Sequence, residues 1–127
     1  MRILSTTLTA SVLLALAGIA HALEVRPYSA AELAQAQKAH RPVALQFHAD
    51  WCPTCRAQTQ ALEALKKEPG LDVTVFVANY DTEKELKRKY GVRAQSTLIG
   101  LKDGKVSGRV IGDTSPEGLK AVLKSAL

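Results

Sequence analysis

Cys52 and Cys55 are the whole thiol content of this 127-residue chain, and they stand three apart as Cys52-Pro53-Thr54-Cys55. A structural zinc site draws on four ligands, commonly two such pairs, and only one pair is present. A purely structural disulfide across two residues closes a small loop, which restricts few unfolded conformations and adds little stability. Thiol–disulfide exchange suits the spacing better. A cysteine at a helix N-terminus meets unpaired N–H groups and the positive end of the helix dipole, so its thiolate is favoured and its pKa falls. A second cysteine three residues on lies on the same helix face. From there it can attack a mixed disulfide on the first and release the bound sulfur. Pro53 fits the first helical turn, where its missing N–H is not needed.

The neighbouring sequence predicts the elements that would hold such a pair. Val43 to Ala49 is nearly continuous in apolar character, the pattern of a strand buried on both faces. A helix pattern with Leu62 and Leu65 follows the cysteines and closes near Pro69-Gly70. Upstream, Ser29-Ala30-Ala31-Glu32 reads as a capping box opening a helix to about His40, ended by Arg41-Pro42. Downstream come a strand over Val73 to Ala78 and a second capping box at Thr82-Glu83-Lys84-Glu85. That box opens a helix to Tyr90, stopped by Gly91. Thr97 to Leu101 is a third strand. Asp103-Gly104 is a two-residue hairpin signal, and Val106 to Ile111 returns antiparallel until Gly112. Thr114-Ser115-Pro116-Glu117 caps a last helix with Leu119, Val122, Leu123 and Ala126 on one face. The expected order is helix, strand, helix, strand, helix, strand, strand, helix. Alternation of this kind gives right-handed parallel crossovers, with the final hairpin adding an antiparallel edge.

The first 22 residues carry one charge, Arg2, then an apolar stretch from Leu8 to Ala20, and end in Ala20-His21-Ala22. This predicts a secretory signal peptide cleaved after Ala22, leaving one domain over residues 23–127. The net charge is +5, but the dense run Lys84-Glu85-Leu86-Lys87-Arg88-Lys89 contains an acid and no aromatic. It reads as a solvated helix face, and nucleic-acid binding is not expected.

Trp51-Cys52-Pro53-Thr54-Cys55 after a buried strand resembles the active site of the thioredoxin superfamily. The likeness continues through Lys89-Tyr90-Gly91-Val92-Arg93, the strand beginning Thr97-Leu98, the hairpin Lys102-Asp103-Gly104-Lys105, and Gly112 with the capped last helix. It implies an α/β three-layer thioredoxin fold, with a mixed central sheet, helices on both faces and a C-terminal antiparallel hairpin. It also implies a protein disulfide oxidoreductase with Cys52 as nucleophile and Cys55 as resolving thiol. Trp51, Pro53, Thr54, Gln95 and Ser96 would meet the substrate. The string Trp51 to Arg56 is similar to that of the cytochrome c maturation thioredoxins, although those usually carry a mid-domain insertion that this chain lacks.

Three positions depart from the family pattern. Ser96 stands where the family has a proline preceded by a cis bond, thought to shield the thiols from metal; here a trans Gln95–Ser96 bond is expected, because cis costs about 2.5–4 kcal/mol before a non-proline residue. Gln46 replaces a buried carboxylate that accepts the proton of the resolving cysteine, and an amide cannot do that. Val77 replaces the lysine that often partners it. His48 shares the strand face of Gln46 and is the candidate pKa modulator of Cys52, or else a packing residue. Arg56 and Asp50 flank the motif, and His40 reads as a helix-end residue.

The expected function is periplasmic exchange of disulfides with protein substrates, reducing rather than oxidising. The expected partners are protein thiols and disulfides and a membrane-bound dithiol electron donor, with no cofactor and a monomeric chain. Two alternatives stay open: a Cu(I)-binding or metal-delivery module using Cys52, Cys55 and His48, and a redox-inactive docking domain.

Overall fold

The computed structural model describes residues 22–127. The proposed leader, Ala22 apart, lies outside the described residues. In chain order the elements are β1 (Glu24–Pro27), α1 (Ala30–Lys38), β2 (Val43–His48), α2 (Pro53–Leu65), β3 (Thr74–Asn79), α3 (Lys84–Tyr90), β4 (Thr97–Lys102), β5 (Lys105–Ile111) and α4 (Pro116–Ser125). The sheet order is β1-β3-β2-β4-β5. β3 runs parallel to both β1 and β2, while β4 is antiparallel to β2 and β5.

Strand alternation sends side chains to opposite faces and so makes two cores. Val43, Leu45 and Phe47 of β2 pack with Leu33 and Ala36 of α1 and with Leu86 and Tyr90 of α3. Ala44 packs on the other face with Leu62 and Leu65 of α2 and with Leu119, Val122 and Leu123 of α4. Gln46 follows Ala44 on that second face and is fully buried there. β2 is therefore central and covered on both sides, as its apolar run predicts.

Several expectations need correction. The strand β1 was not expected, because Glu-Val-Arg-Pro has one apolar residue and no hydrophobic period; it forms by pairing with β3 at the sheet edge, where Pro27 is tolerated. The first helix stops at Lys38, ahead of the Arg41-Pro42 signal. His40 takes φ +54°, its N–H bonds Gln37 O, and Arg41 N–H bonds Ala36 O. These two bonds make a Schellman motif with histidine where glycine is usual. His40 is thus a helix-end residue. The second capping box does not form. Asn79 Oδ1 instead accepts from the N–H groups of Asp81 and Thr82, and α3 opens without a side-chain cap. α2 ends at Leu65 rather than near Pro69.

Other local signals hold. Ser29 Oγ accepts from Glu32 N, and Ser115 Oγ accepts from Gly118 N with Pro116 in the first turn. Gly91 closes α3 at φ +64°, and Asp103 and Gly104 both take positive φ, as a type I′ hairpin requires. One close approach matters for packing. A Cβ on Gly100 would lie 2.7 Å from the carbonyl oxygen of Val122 in α4. The helix can rest against β4 only because that side chain is missing.

Candidate active site

The central strand β2 delivers the chain to the motif. After it, Cys52 N–H bonds Ala49 O at 3.1 Å, and the chain turns into α2. Cys52 is the N-cap, in an extended conformation, and Pro53 opens the helix. Cys52 Sγ accepts from Cys55 N–H at 3.1 Å, so a sulfur fills the capping role that an oxygen usually fills. The helix start is thereby built around the Cys52 sulfur.

Both thiols are free and buried, at 3% exposure for Cys52 and 0% for Cys55. Burial pushes the Cys52 thiol up. Hydrogen bonds from the Cys55 and Ser96 side chains and the N–H groups of Cys55 and Thr54 outweigh it, leaving the pKa below the ordinary thiol value. For Cys55, burial and the neighbouring Cys52 sulfur raise the pKa, against smaller lowering contributions from Ser96 and the Ala49 backbone. The pair is polarised: the Cys52 pKa is lowered and the Cys55 pKa is raised.

Ser96 comes from the loop before β4 and is 2% exposed. Its hydroxyl lies 2.9 Å from Cys55 Sγ and 3.4 Å from Cys52 Sγ. Peptide bonds are trans throughout the described residues, Gln95–Ser96 included, and Ser96 has φ +57°. Its N–H donates to Phe47 O at 2.9 Å, a bond that proline cannot make.

Gln46 points at α2 instead of the sulfurs. Its Nε2 donates to Gln58 Oε1 at 3.1 Å and to Thr59 Oγ1 at 3.2 Å, while Oε1 has no partner. Its cross-strand neighbour is Val77, so this layer carries no buried ion pair. His48 does share the face of Gln46, but its ring meets Thr59 Oγ1 through Nδ1 and Asp50 Oδ1 through Nε2. Neither contact is to a sulfur, and the groups that act on Cys52 are the Cys55 and Ser96 side chains and the Cys55 and Thr54 N–H groups. The proposed Cys52–Cys55–His48 metal set is not assembled either: among the described residues no three His, Cys, Asp or Glu side chains come together as a metal site. Arg56 turns away as well, donating to Asp50 O at 2.9 Å.

The other expected substrate-contacting residues flank the cysteines in sequence or, for Gln95, precede Ser96. Pro53 and Thr54 are exposed and Gln95 is half-buried. Trp51 is 60% exposed, and its indole N–H donates to Asp81 Oδ2 at 2.8 Å, fixing the ring against the β3–α3 turn.

Gln58 was missed. It is fully buried, and Nε2 donates to Ser96 O and Asp113 O, both at 3.0 Å. It therefore ties α2 to the Ser96 loop and to the start of the last helix. A signal was available: Gln58 sits among Cys55, Leu62 and Leu65 on the buried stripe of α2, where a polar residue must have a specific partner.

Residues 25–125 match the family model described as Thioredoxin. The chain belongs to the thioredoxin family. Among its relatives, the thioredoxin of Rhodospirillum rubrum is 43% identical over 75 residues, covering 59% of this chain and 72% of that one. The thioredoxin of Alicyclobacillus acidocaldarius is 33% identical over 97 residues, covering 76% and 92%. Among solved structures, Trxlp from Edwardsiella tarda superposes with a TM-score of 0.72 at 39% identity, over 79% of this chain and 98% of that one. The polarised thiol pair is thus that of a thioredoxin-like thiol–disulfide oxidoreductase.

Proposed function

We propose that this thioredoxin reduces protein disulfides in a bacterial periplasm, exported by residues 1–22. The observation carrying the exchange chemistry is the polarised pair of buried thiols at the start of α2. Cys52 thiolate attacks a substrate disulfide, forming a mixed disulfide and expelling one substrate thiolate, which takes a proton from solvent. Cys55 then attacks Cys52 Sγ. The second substrate sulfur leaves as a thiol, and the Cys52–Cys55 disulfide forms. Two electrons pass to the substrate, and a membrane-bound dithiol donor restores the pair.

The reducing direction is supported by what acts on Cys52. A strong oxidant stabilises its reduced state through a deeply depressed thiol pKa. Here the stabilising groups are neutral N–H, S–H and O–H donors, while His48 and Arg56 are engaged with Asp50. Exposed Trp51, Pro53 and Thr54 offer an apolar docking rim. The motif's likeness to cytochrome c maturation thioredoxins makes oxidised Cys-x-x-Cys-His peptides the first substrates to compare with insulin. The protein is taken to act as a monomer.

The test is the reduction potential of the pair, with insulin turnover and fractionation of the native host. A potential near about −270 mV with turnover supports a reductant, whereas one near about −120 mV would reverse the direction. Recovery of the full-length, leader-bearing chain in the cytosolic fraction would refute the location.

A further inference from the structure

Ser96 is held on three sides. Its N–H donates to Phe47 O, and its carbonyl accepts from Gly112 N at 2.9 Å and from Gln58 Nε2 at 3.0 Å. It sits at φ +57°, a backbone conformation that L residues rarely adopt. What these constraints leave free is the hydroxyl, and it lies between the two sulfurs at 2.9 and 3.4 Å.

A hydroxyl has one proton to donate and lone pairs to accept with. Between a thiol and a thiolate it can do both at once, donating to the Cys52 sulfur while the Cys55 S–H turns from that sulfur to the hydroxyl oxygen. Among the described residues, no other protic side chain is hydrogen-bonded to Cys55 Sγ. Gln46 and His48 are turned to Gln58, Thr59 and Asp50.

We propose that Ser96 is a catalytic residue, its hydroxyl relaying a proton between Cys55 and the sulfur that joins or leaves Cys52. The inference rests on the exchange reading above. In the resolving step, Cys55 Sγ bonds to Cys52 Sγ as the bond from Cys52 to the substrate sulfur breaks. The leaving sulfur takes the bonding electron pair. The Cys55 proton passes to Ser96 Oγ as Ser96 gives its own proton to the leaving sulfur. The hydroxyl is unchanged, the cysteine pair is oxidised and the substrate sulfur is reduced to a thiol. In reverse, a thiol attacking Cys52 passes its proton through Ser96 to the departing Cys55.

The test compares Ser96→Ala and Ser96→Gly in the full chain. Both remove the hydroxyl, but glycine is at ease at positive φ and alanine is not. One readout is the alkylation rate of Cys52 against pH. The other is single-turnover reduction of the oxidised protein by glutathione, followed through the fluorescence of Trp51, the one tryptophan in the chain. Both variants are expected to show about tenfold slower alkylation at neutral pH, the loss of one hydrogen bond to a charged group. Both are also expected to reduce about tenfold more slowly, whatever their unfolding midpoints.

Wild-type rates in Ser96→Gly, with loss only in Ser96→Ala, would make the residue a backbone device and overturn the proposal. A shift in alkylation with no change in glutathione reduction would also overturn the relay. If wild-type protein fails to reduce insulin while both Ser96 effects persist, the exchange function falls and the relay stands.

Discussion

Replacing Gln58 with leucine tests whether α2 and the Ser96 loop are held by hydrogen bonds or by packing alone. Gln58 is fully buried and makes three bonds: one accepted from Gln46, one donated to Ser96 O and one donated to Asp113 O. Loss of the side chain leaves no partner wholly stranded. Ser96 O keeps the Gly112 N–H, Gln46 Nε2 keeps Thr59, and Asp113 is half-buried and can turn to water. The cost is therefore the ordinary net value of about 1 kcal/mol per bond, or about 3 kcal/mol in all. Burial of an apolar side chain of similar size offsets about 1 kcal/mol of this. The remaining loss of about 2 kcal/mol lowers the melting temperature of a domain this size by about 8–16 °C. Chemical unfolding of the reduced protein measures it. A Leu variant within about 0.5 kcal/mol of wild type would refute the reasoning, since that is the scatter of an unimportant surface change. Gln58→Glu sharpens the test. Its carboxyl would face two carbonyl oxygens and could donate only when protonated, so its folded pKa rises. Stability is then lost as pH climbs above about 4.3, the unfolded value, and levels off above the folded one.

Three further outcomes are expected. Gly100→Ala forces a methyl to within 2.7 Å of Val122 O, a backbone atom that cannot swing aside, and should cost about 1–3 kcal/mol in equilibrium unfolding. His40→Gly should stabilise by about 1 kcal/mol, because φ +54° carries a left-handed penalty for histidine and none for glycine; an unchanged midpoint would count against the Schellman reading. The reduced protein should gain stability as pH rises through the lowered Cys52 pKa toward the unfolded thiol value near about 8.5, then lose it above that value because Cys55 resists ionisation. Urea midpoints of Cys52→Ala, lacking the rising limb, and of Cys55→Ala, lacking the falling one, check the assignment.

The parts legible in the sequence are those whose signal is local. The hairpin Asp103-Gly104 needs two left-handed residues, and the sequence at that point supplies them. The run of β2 declares its own double burial, and the cysteine spacing predicts a helix start that the sulfur itself caps. What stayed hidden depends on partners distant in sequence. β1 exists because β3 pairs with it, and four polar-leaning residues carry no trace of that. Asn79 displaced the Thr82 capping box because a strand end put its side chain under two free N–H groups. In the sequence Ser96 is a missing proline, a subtraction. Its hydroxyl is an addition, visible only once Phe47, Gly112 and Gln58 are seen to aim it. On α1, Ser29 Oγ caps the N–H of Glu32, and the Glu32 carboxylate lies 3.7 Å from the Arg26 guanidinium.

The neutral interior has a consequence for how the site titrates. A buried carboxylate beneath the thiols would couple its own proton to theirs, and the set would titrate in shared macroscopic steps. Here that layer holds Gln46 against Val77, and neither can ionise. Cys52 then titrates against Cys55 and neutral donors alone, with the exchangeable proton beside the sulfurs at Ser96 instead of beneath them. His48 is the nearest ionisable side chain on that strand face, and its ring is committed to Thr59 and Asp50. The His48–Asp50 contact, at 3.2 Å, lies near the surface. With Asp50 exposed, that pair is worth little and is screened by salt. Reactivity of Cys52 should therefore follow the ionisation of the two-thiol pair, with no contribution from a third group. A second inflection in the reactivity profile that disappears in His48→Phe would show that the imidazole reaches the thiolate after all.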